Sequence, residues 1–238
     1  MKKLLLLISI IITISSCKIT EKIYLEDDGS GTYNMEIDMS AMIESLSGLG
    51  SKDVDSTYVV KDSIMDFSKL ILEHKDSIDK LPKAERDKIE KLKNFKLIIH
   101  EDKRNNELST SIVGTFKNVN ELNDIQNIFN TTQSSKKQIP SKYDVKFTFK
   151  KNKFIRKSTE KELNKEQQEQ FNESMKGFNM FLNGTTYNLE YHFPKPIKKT
   201  NIKDAKLSED RKTLYLNKSV NDWINNGSAF DIEVKLKR

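Results

Sequence analysis

Ile19-Thr20-Glu21-Lys22-Ile23-Tyr24-Leu25, Glu26-Asp27-Asp28-Gly29-Ser30-Gly31 and Thr32-Tyr33-Asn34-Met35-Glu36-Ile37-Asp38-Met39 follow one another without interruption. In the first run Ile19, Glu21, Ile23 and Leu25 share one face of an extended chain. In the third, Tyr33, Met35, Ile37 and Met39 alternate with Asn34, Glu36 and Asp38. A period of two is the spacing of a half-buried strand, and the acidic, Gly-rich run between them is turn chemistry. The stretch therefore predicts a β-hairpin and, with it, an antiparallel sheet. The same turn imitates the opening of a calcium loop, with oxygen-bearing side chains at Glu26, Asp28 and Ser30. Its twelfth place is Ile37, where a bidentate Glu is required, so a turn using Gly for positive φ is the better reading.

Upstream of the hairpin stand Lys2-Lys3, an apolar run over residues 4–14, and Ile14-Ser15-Ser16-Cys17. The run is too short for a stable bilayer-spanning helix and has the length of a secretory h-region. The only cysteine of the chain follows two small residues, and this ending closely resembles a bacterial lipobox. The resemblance implies that residues 1–16 are a cleaved lipoprotein signal peptide and that Cys17 carries lipid on its sulfur and on its freed amine. It also implies a membrane partner, reached through an N-terminal lipid anchor. Several acyl chains at one residue bury far more CH₂ groups, at about 0.8 kcal/mol each, than the single chain that binds only marginally. Lipid also explains a lone cysteine, which in an exported protein would otherwise be a reactive thiol. With the strand starting between Ile19 and Lys22, about four extended residues, no more than roughly 14 Å, separate fold from lipid.

Removal of residues 1–16 leaves 222 residues, 17–238, enough for one lipid-anchored domain with a core that needs no disulfide. The whole chain has 41 basic and 35 acidic residues, a formal charge of +6, dispersed along its length. Nucleic-acid binders concentrate basic residues on one face. Here the densest runs, Lys150-Lys151-Asn152-Lys153 and Lys195-Pro196-Ile197-Lys198-Lys199, fall at strand ends or loops, so no nucleic-acid partner is expected. Lys18 beside Cys17 is not the aspartate that resembles an inner-membrane retention signal, which points to the outer membrane.

Farther along, a short helix is expected over 40–46, then a Gly-, Ser- and Asp-rich loop over 47–56. Val60, Ile64, Phe67, Ile71, His74, Ile78 and Leu81 recur at spacings of four and three, which predicts a helix over 62–81 with His74 at the edge of the core. A second short helix is expected over 83–92. Phe95, Leu97 and Ile99, the turn Lys103-Arg104-Asn105-Asn106, and Leu108, Thr110, Ile112, Gly114 and Phe116 form another hairpin. A helix is expected over 119–129 and a polar loop over 130–141. Tyr143, Val145, Phe147 and Phe149 alternate as a strand. Thr159 and Glu162 have capping-box spacing at the head of a helix carrying Leu163, Phe171, Met175, Phe178 and Leu182 inward, with Asn183-Gly184 as its stop. Further strands are expected at Tyr187 to Phe193, near Ile202, at Thr213 to Leu216 and at Phe230 to Leu236, with a turn of helix over 220–224. Hairpins and isolated helices without regular βαβ alternation define an α+β fold: an antiparallel sheet of hairpins with several helices packed on one face.

Chemistry is sparse. His74, His100 and His192 have no His-x-x-x-His, paired Cys or Glu-x-x-His companion, so no metal or cofactor is expected. There is no Gly-x-Ser-x-Gly elbow. Inward Phe and Tyr either fill the core or line a ligand cavity between sheet and helices.

The chain as a whole resembles the small, Lys- and Asn-rich lipoproteins of Bacteroidetes-type bacteria. Lys22-Ile23-Tyr24-Leu25-Glu26-Asp27-Asp28-Gly29-Ser30-Gly31, and the later strand from Tyr187 to Phe193 with Pro194 and Ser208-Glu209-Asp210 before Thr213-Leu214-Tyr215-Leu216, are similar to LppM-type lipoproteins. That resemblance implies a lipid-anchored α+β domain, with lipid or glycolipid binding in one branch. The C-terminal strand departs from the pattern, which ends in an apolar helix. Together these readings give a non-enzymatic envelope lipoprotein whose partner is an envelope protein or other envelope component. The alternative is a carrier or sensor of a hydrophobic ligand.

Overall fold

The computed structural model describes residues 17–47, 60–123, 125, 142–182 and 184–238, the side chains of 45–47 and 177–181 excepted. The signal peptide expected over 1–16, the loop expected after residue 47, the second half of the helix expected over 119–129, the loop expected over 130–141, the Phe178 side chain and Asn183 lie outside the described residues.

The hairpin forms as its alternation requires. β1 (Lys18–Leu25) and β2 (Gly31–Asp38) pair in antiparallel register, Ile23 opposite Tyr33. In the turn, Asp28 Oδ1 accepts from the Ser30 backbone N–H at 2.9 Å and Gly29 takes φ +89°, a conformation that costs glycine nothing. No linker separates Cys17 from the sheet: β1 begins at the next residue, and the Thr186 N–H donates to the Cys17 carbonyl at 3.3 Å.

Among the described residues ten further strands complete an α+β fold. They are β3 (Lys61–Asp66), β4 (Phe95–Asp102), β5 (Glu107–Phe116), β6 (Tyr143–Lys150), β7 (Lys153–Glu160), β8 (Thr186–His192), β9 (Ile197–Thr200), β10 (Lys206–Leu207), β11 (Thr213–Ser219) and β12 (Ile232–Leu236). The antiparallel sheet expected from the hairpins is divided into two. The larger has the order β10-β11-β8-β1-β2-β5-β4-β3, the smaller β6-β7-β12-β9. Within the large sheet β1 and β8 run parallel, a long-range pairing that no hairpin signal announces. The helices are α1 (Ser40–Ser47), α2 (Phe67–Glu73), α3 (Lys75–Ile78), α4 (Lys83–Lys91), α5 (Lys165–Leu182) and α6 (Val220–Asn225). No helix among the described residues is long and apolar enough to cross a membrane.

The two sheets enclose one core. Ile23, Tyr33, Leu189, Tyr191 and Leu214 of the large sheet meet Phe147, Phe154, Ile232 and Val234 of the small one. Phe154 sits edge-on to both Tyr191 and Phe193, at 5.4 Å between ring centres in each case, the preferred geometry of aromatic pairs. These inward rings pack against one another. Phe95 lies across Gly114, leaving no room for a Cβ there.

Several expectations change. The helix over 62–81 begins instead as β3, paired along its length with β4. Asp66 ends the strand and caps α2, its Oδ1 accepting from the Ser68 N–H at 3.0 Å. The apolar stripe has nothing to bury its first turn, since Ile64 is 64% exposed, and helix stability comes mostly from burying such a face. His74 is exposed at the break between α2 and α3 rather than at the core edge. Thr159 lies in β7 opposite Asp144. The cap of α5 is made by Asn164 and Gln167, whose side chains each accept the other's backbone N–H, at 3.0 and 2.9 Å. The β6–β7 hairpin turns on Lys151 and Asn152, both at positive φ, the requirement of a two-residue type I′ loop. The strand expected near Ile202 is β9, which ends at Thr200, and Phe230 closes a 3-10 turn before β12.

Candidate functional site

Alternation along β1 sends odd and even residues to opposite faces of the large sheet, and each face carries a polar constellation. On the inner face Glu21, fully buried, receives the hydroxyls of Tyr187 and Tyr191 at 2.6 Å each. Arg156 of β7 approaches from the other sheet, its Nε 3.9 Å from Glu21 Oε1. Its Nη1 donates to the Phe230 carbonyl at 2.9 Å, and its plane lies between the Phe147 and Phe230 rings. Burial opposes the charge on Arg156, but the tyrosines and the Glu21 carboxylate hold its pKa above the ordinary value. Burial first, and Glu21 second, push both tyrosines well above theirs, so they stay protonated as donors. This cluster joins the two sheets. Sequence reading placed Glu21 on the apolar face without drawing its consequence, and missed Arg156 because β7 was not recognised. An acidic residue between Ile19 and Ile23 was the available signal.

On the outer face five strands and one loop form an open groove of about 600 Å³. Its floor is built in cross-strand rows. Tyr215 of β11, Glu190 of β8 and Lys22 of β1 form one, with Lys22 Nζ 3.3 Å from Glu190 Oε2. Asn217, Asn188 and Thr20 form the next, and the Asn217 amide donates to Asn188 Oδ1. Lys18 opposite Asp38 closes the floor at the Cys17 end, and Asp204 and Lys206 form a wall. Just beyond, Tyr24 and His192 stack with centres 4.1 Å apart and planes within 5°. His192 is also held by Glu190 at 2.7 Å and Thr213 at 3.0 Å. No residue of the groove was read from the sequence as a site; strand alternation alone cannot tell a concave polar face from a flat one.

Cys17 is half-buried at the edge of this face. Burial and then the Asp38 charge raise its thiol pKa, the reverse of the depression that activates a nucleophilic thiolate. On β4, His100 lies between Asp62 at 2.8 Å and Glu107 at 3.4 Å, which raise its pKa above the usual histidine value. The turn carboxylate Asp28 is engaged by Ser30. Among the described residues no group of three His, Cys, Asp or Glu is placed to hold a metal ion.

No family model matches the chain, and no curated protein does; the likeness to Bacteroidetes-type lipoproteins therefore has no match behind it. Among solved structures, the folded domain of the LppM protein of Mycobacterium tuberculosis, determined by NMR, aligns with a TM-score of 0.41 at 9% identity. The alignment covers 93% of this chain and 89% of that one.

Proposed function

We propose that the protein is a non-enzymatic lipoprotein of the cell envelope, acylated at Cys17 and held at the outer membrane, with the outer groove as its binding surface. The observation that supports this reading is the place of Cys17 at the edge of the sheet. Cys17 is bonded to β8 through its carbonyl, and the next residue, Lys18, already lines the groove. Lipid on Cys17 would hold the groove in the layer next to the headgroups, with no slack to leave it. The partner is an envelope component with a polar surface. The competing reading is a carrier of a hydrophobic ligand held among the inward rings, which pack against one another at Phe154, Tyr191, Phe193, Tyr187 and Phe230.

Metabolic labelling with a fatty-acid probe tests the anchor. Label on the wild-type chain and none on Cys17→Ala is expected; undiminished label on the variant overturns the reading. Membrane fractionation of the wild-type chain tests the location, and recovery with the inner membrane would refute that part.

A further inference from the structure

The chemistry of the groove narrows its ligand, on the assumption that this face is the binding surface. Three lysines, Lys18, Lys22 and Lys206, stand among four carboxylates, Glu36, Asp38, Glu190 and Asp204. Opposite charges are interleaved, and Lys22 is already paired with Glu190, so neither a polyanion nor a polycation meets a field of one sign. An apolar ligand gains little as well. Leu189 and Leu216 border the groove, but both side chains are buried in the core, at 1% and 2% exposure.

What the surface offers is a set of planar polar groups fixed before any ligand arrives. Asn188 donates to the Ile19 carbonyl at 3.3 Å while accepting from Asn217, and Glu190 is held by Lys22 and His192. Such groups suit hydroxyls, each of which both donates and accepts. At the margin Tyr215, 41% exposed, presents an aromatic ring with a polar tip, a flat surface for the C–H face of a pyranose ring. The groove is open to solvent and its volume lies in the range of about 300–1,000 Å³ typical of ligand sites.

We infer that the outer groove binds a neutral saccharide chain, its rings on Tyr215 and its hydroxyls on Asn188, Asn217 and Glu190. A ligand of this kind beside an anchored Cys17 would be the glycan portion of an envelope polymer.

The test is isothermal titration of the full chain in detergent micelles with maltohexaose, chitohexaose and cellohexaose, and with oligogalacturonate as an anionic control. At least one neutral oligosaccharide is expected to bind, and its affinity should persist through an approximately tenfold rise in salt. Tyr215→Ala should weaken it at least tenfold and Asn217→Ala several-fold, while Tyr215→Phe retains it. Both positions are on the surface, and thermal melts of the variants should match the wild type. Absence of heat with all three neutral probes overturns the inference. So does binding that Tyr215→Ala and Asn217→Ala leave unchanged, or preferential, salt-sensitive binding of oligogalacturonate. Cys17→Ala should bind saccharide as the wild type does, so failure of the anchor and failure of the groove are separately visible.

Discussion

Glu21 and Arg156 approach to 3.9 Å with both side chains enclosed, and they belong to different sheets. Their pairing, with Tyr187 and Tyr191 on the carboxylate, is the polar centre of an otherwise apolar interface. A buried charge left alone is costly, whereas a pair replaced by apolar residues of similar volume is often neutral.

Glu21→Ala should therefore lower stability by about 3–5 kcal/mol, because it strands the guanidinium and leaves two tyrosine hydroxyls without their acceptor. The double change Glu21→Leu with Arg156→Met should recover a large part of that loss. Urea denaturation measures both; equal destabilisation by the single and the double variant would refute a charge-pairing role.

His100 contributes a pH-dependent hold on the edge strand. Asp62 and Glu107 raise its folded pKa, so its contribution is complete below the unfolded value of about 6.5 and is lost as pH rises through the folded value. Thermal melts over this window should show a slope that flattens in His100→Gln. An NMR titration of His100 should move toward the ordinary histidine value in Asp62→Asn.

Gly114→Ala would drive a methyl group into the Phe95 ring and the Asn94 carbonyl. A loss of about 1–3 kcal/mol is expected from overpacking at such a site, read as a lower melting temperature.

Asn164→Ala should cost about 1 kcal/mol, the usual worth of an N-cap, and speed amide exchange in the first turn of α5. Thr159→Ala should leave that turn unaffected, because Thr159 is exposed on β7. The reverse pattern would return the cap to Thr159.

The hairpin of β1 and β2, the second hairpin of β4 and β5, and strands β6, β8, β11 and β12 were all legible, because each carries the two-residue alternation of a sheet with one wet face. β3 was not. Ile64 and Phe67 stand at helical spacing, and only the open edge of β4 supplies the ladder that decides for a strand. β7 escaped because its hairpin turns on Lys151-Asn152, without the glycine that marks most type I′ loops. The partition into two sheets and the β1–β8 pairing depend on contacts between distant parts of the chain, which local periodicity does not encode. The same limit hid the candidate site: Glu21 and Arg156 meet only when the sheets face each other. The groove likewise exists only once β11, β8, β1 and β2 lie side by side. The Cys17 reading rests on a local signal instead, the lipobox-like Ile14-Ser15-Ser16-Cys17.

The parallel register of β1 on β8, Lys18 beside Thr186, also orders events in time. Contacts between residues so far apart in sequence form late, since the intervening chain must first be brought together. As the protein emerges N-terminus first, β1 waits for most of the polypeptide before its second neighbour exists. During that interval Cys17 hangs from an unfinished sheet, where the proposed processing and acylation would find it accessible. Once β8 docks, the same residue is fastened into the fold. If Cys17 is acylated as proposed, slow closure of the central pair would keep a maturation window open, and a circular permutation that placed β8 directly before β1 would shut it early.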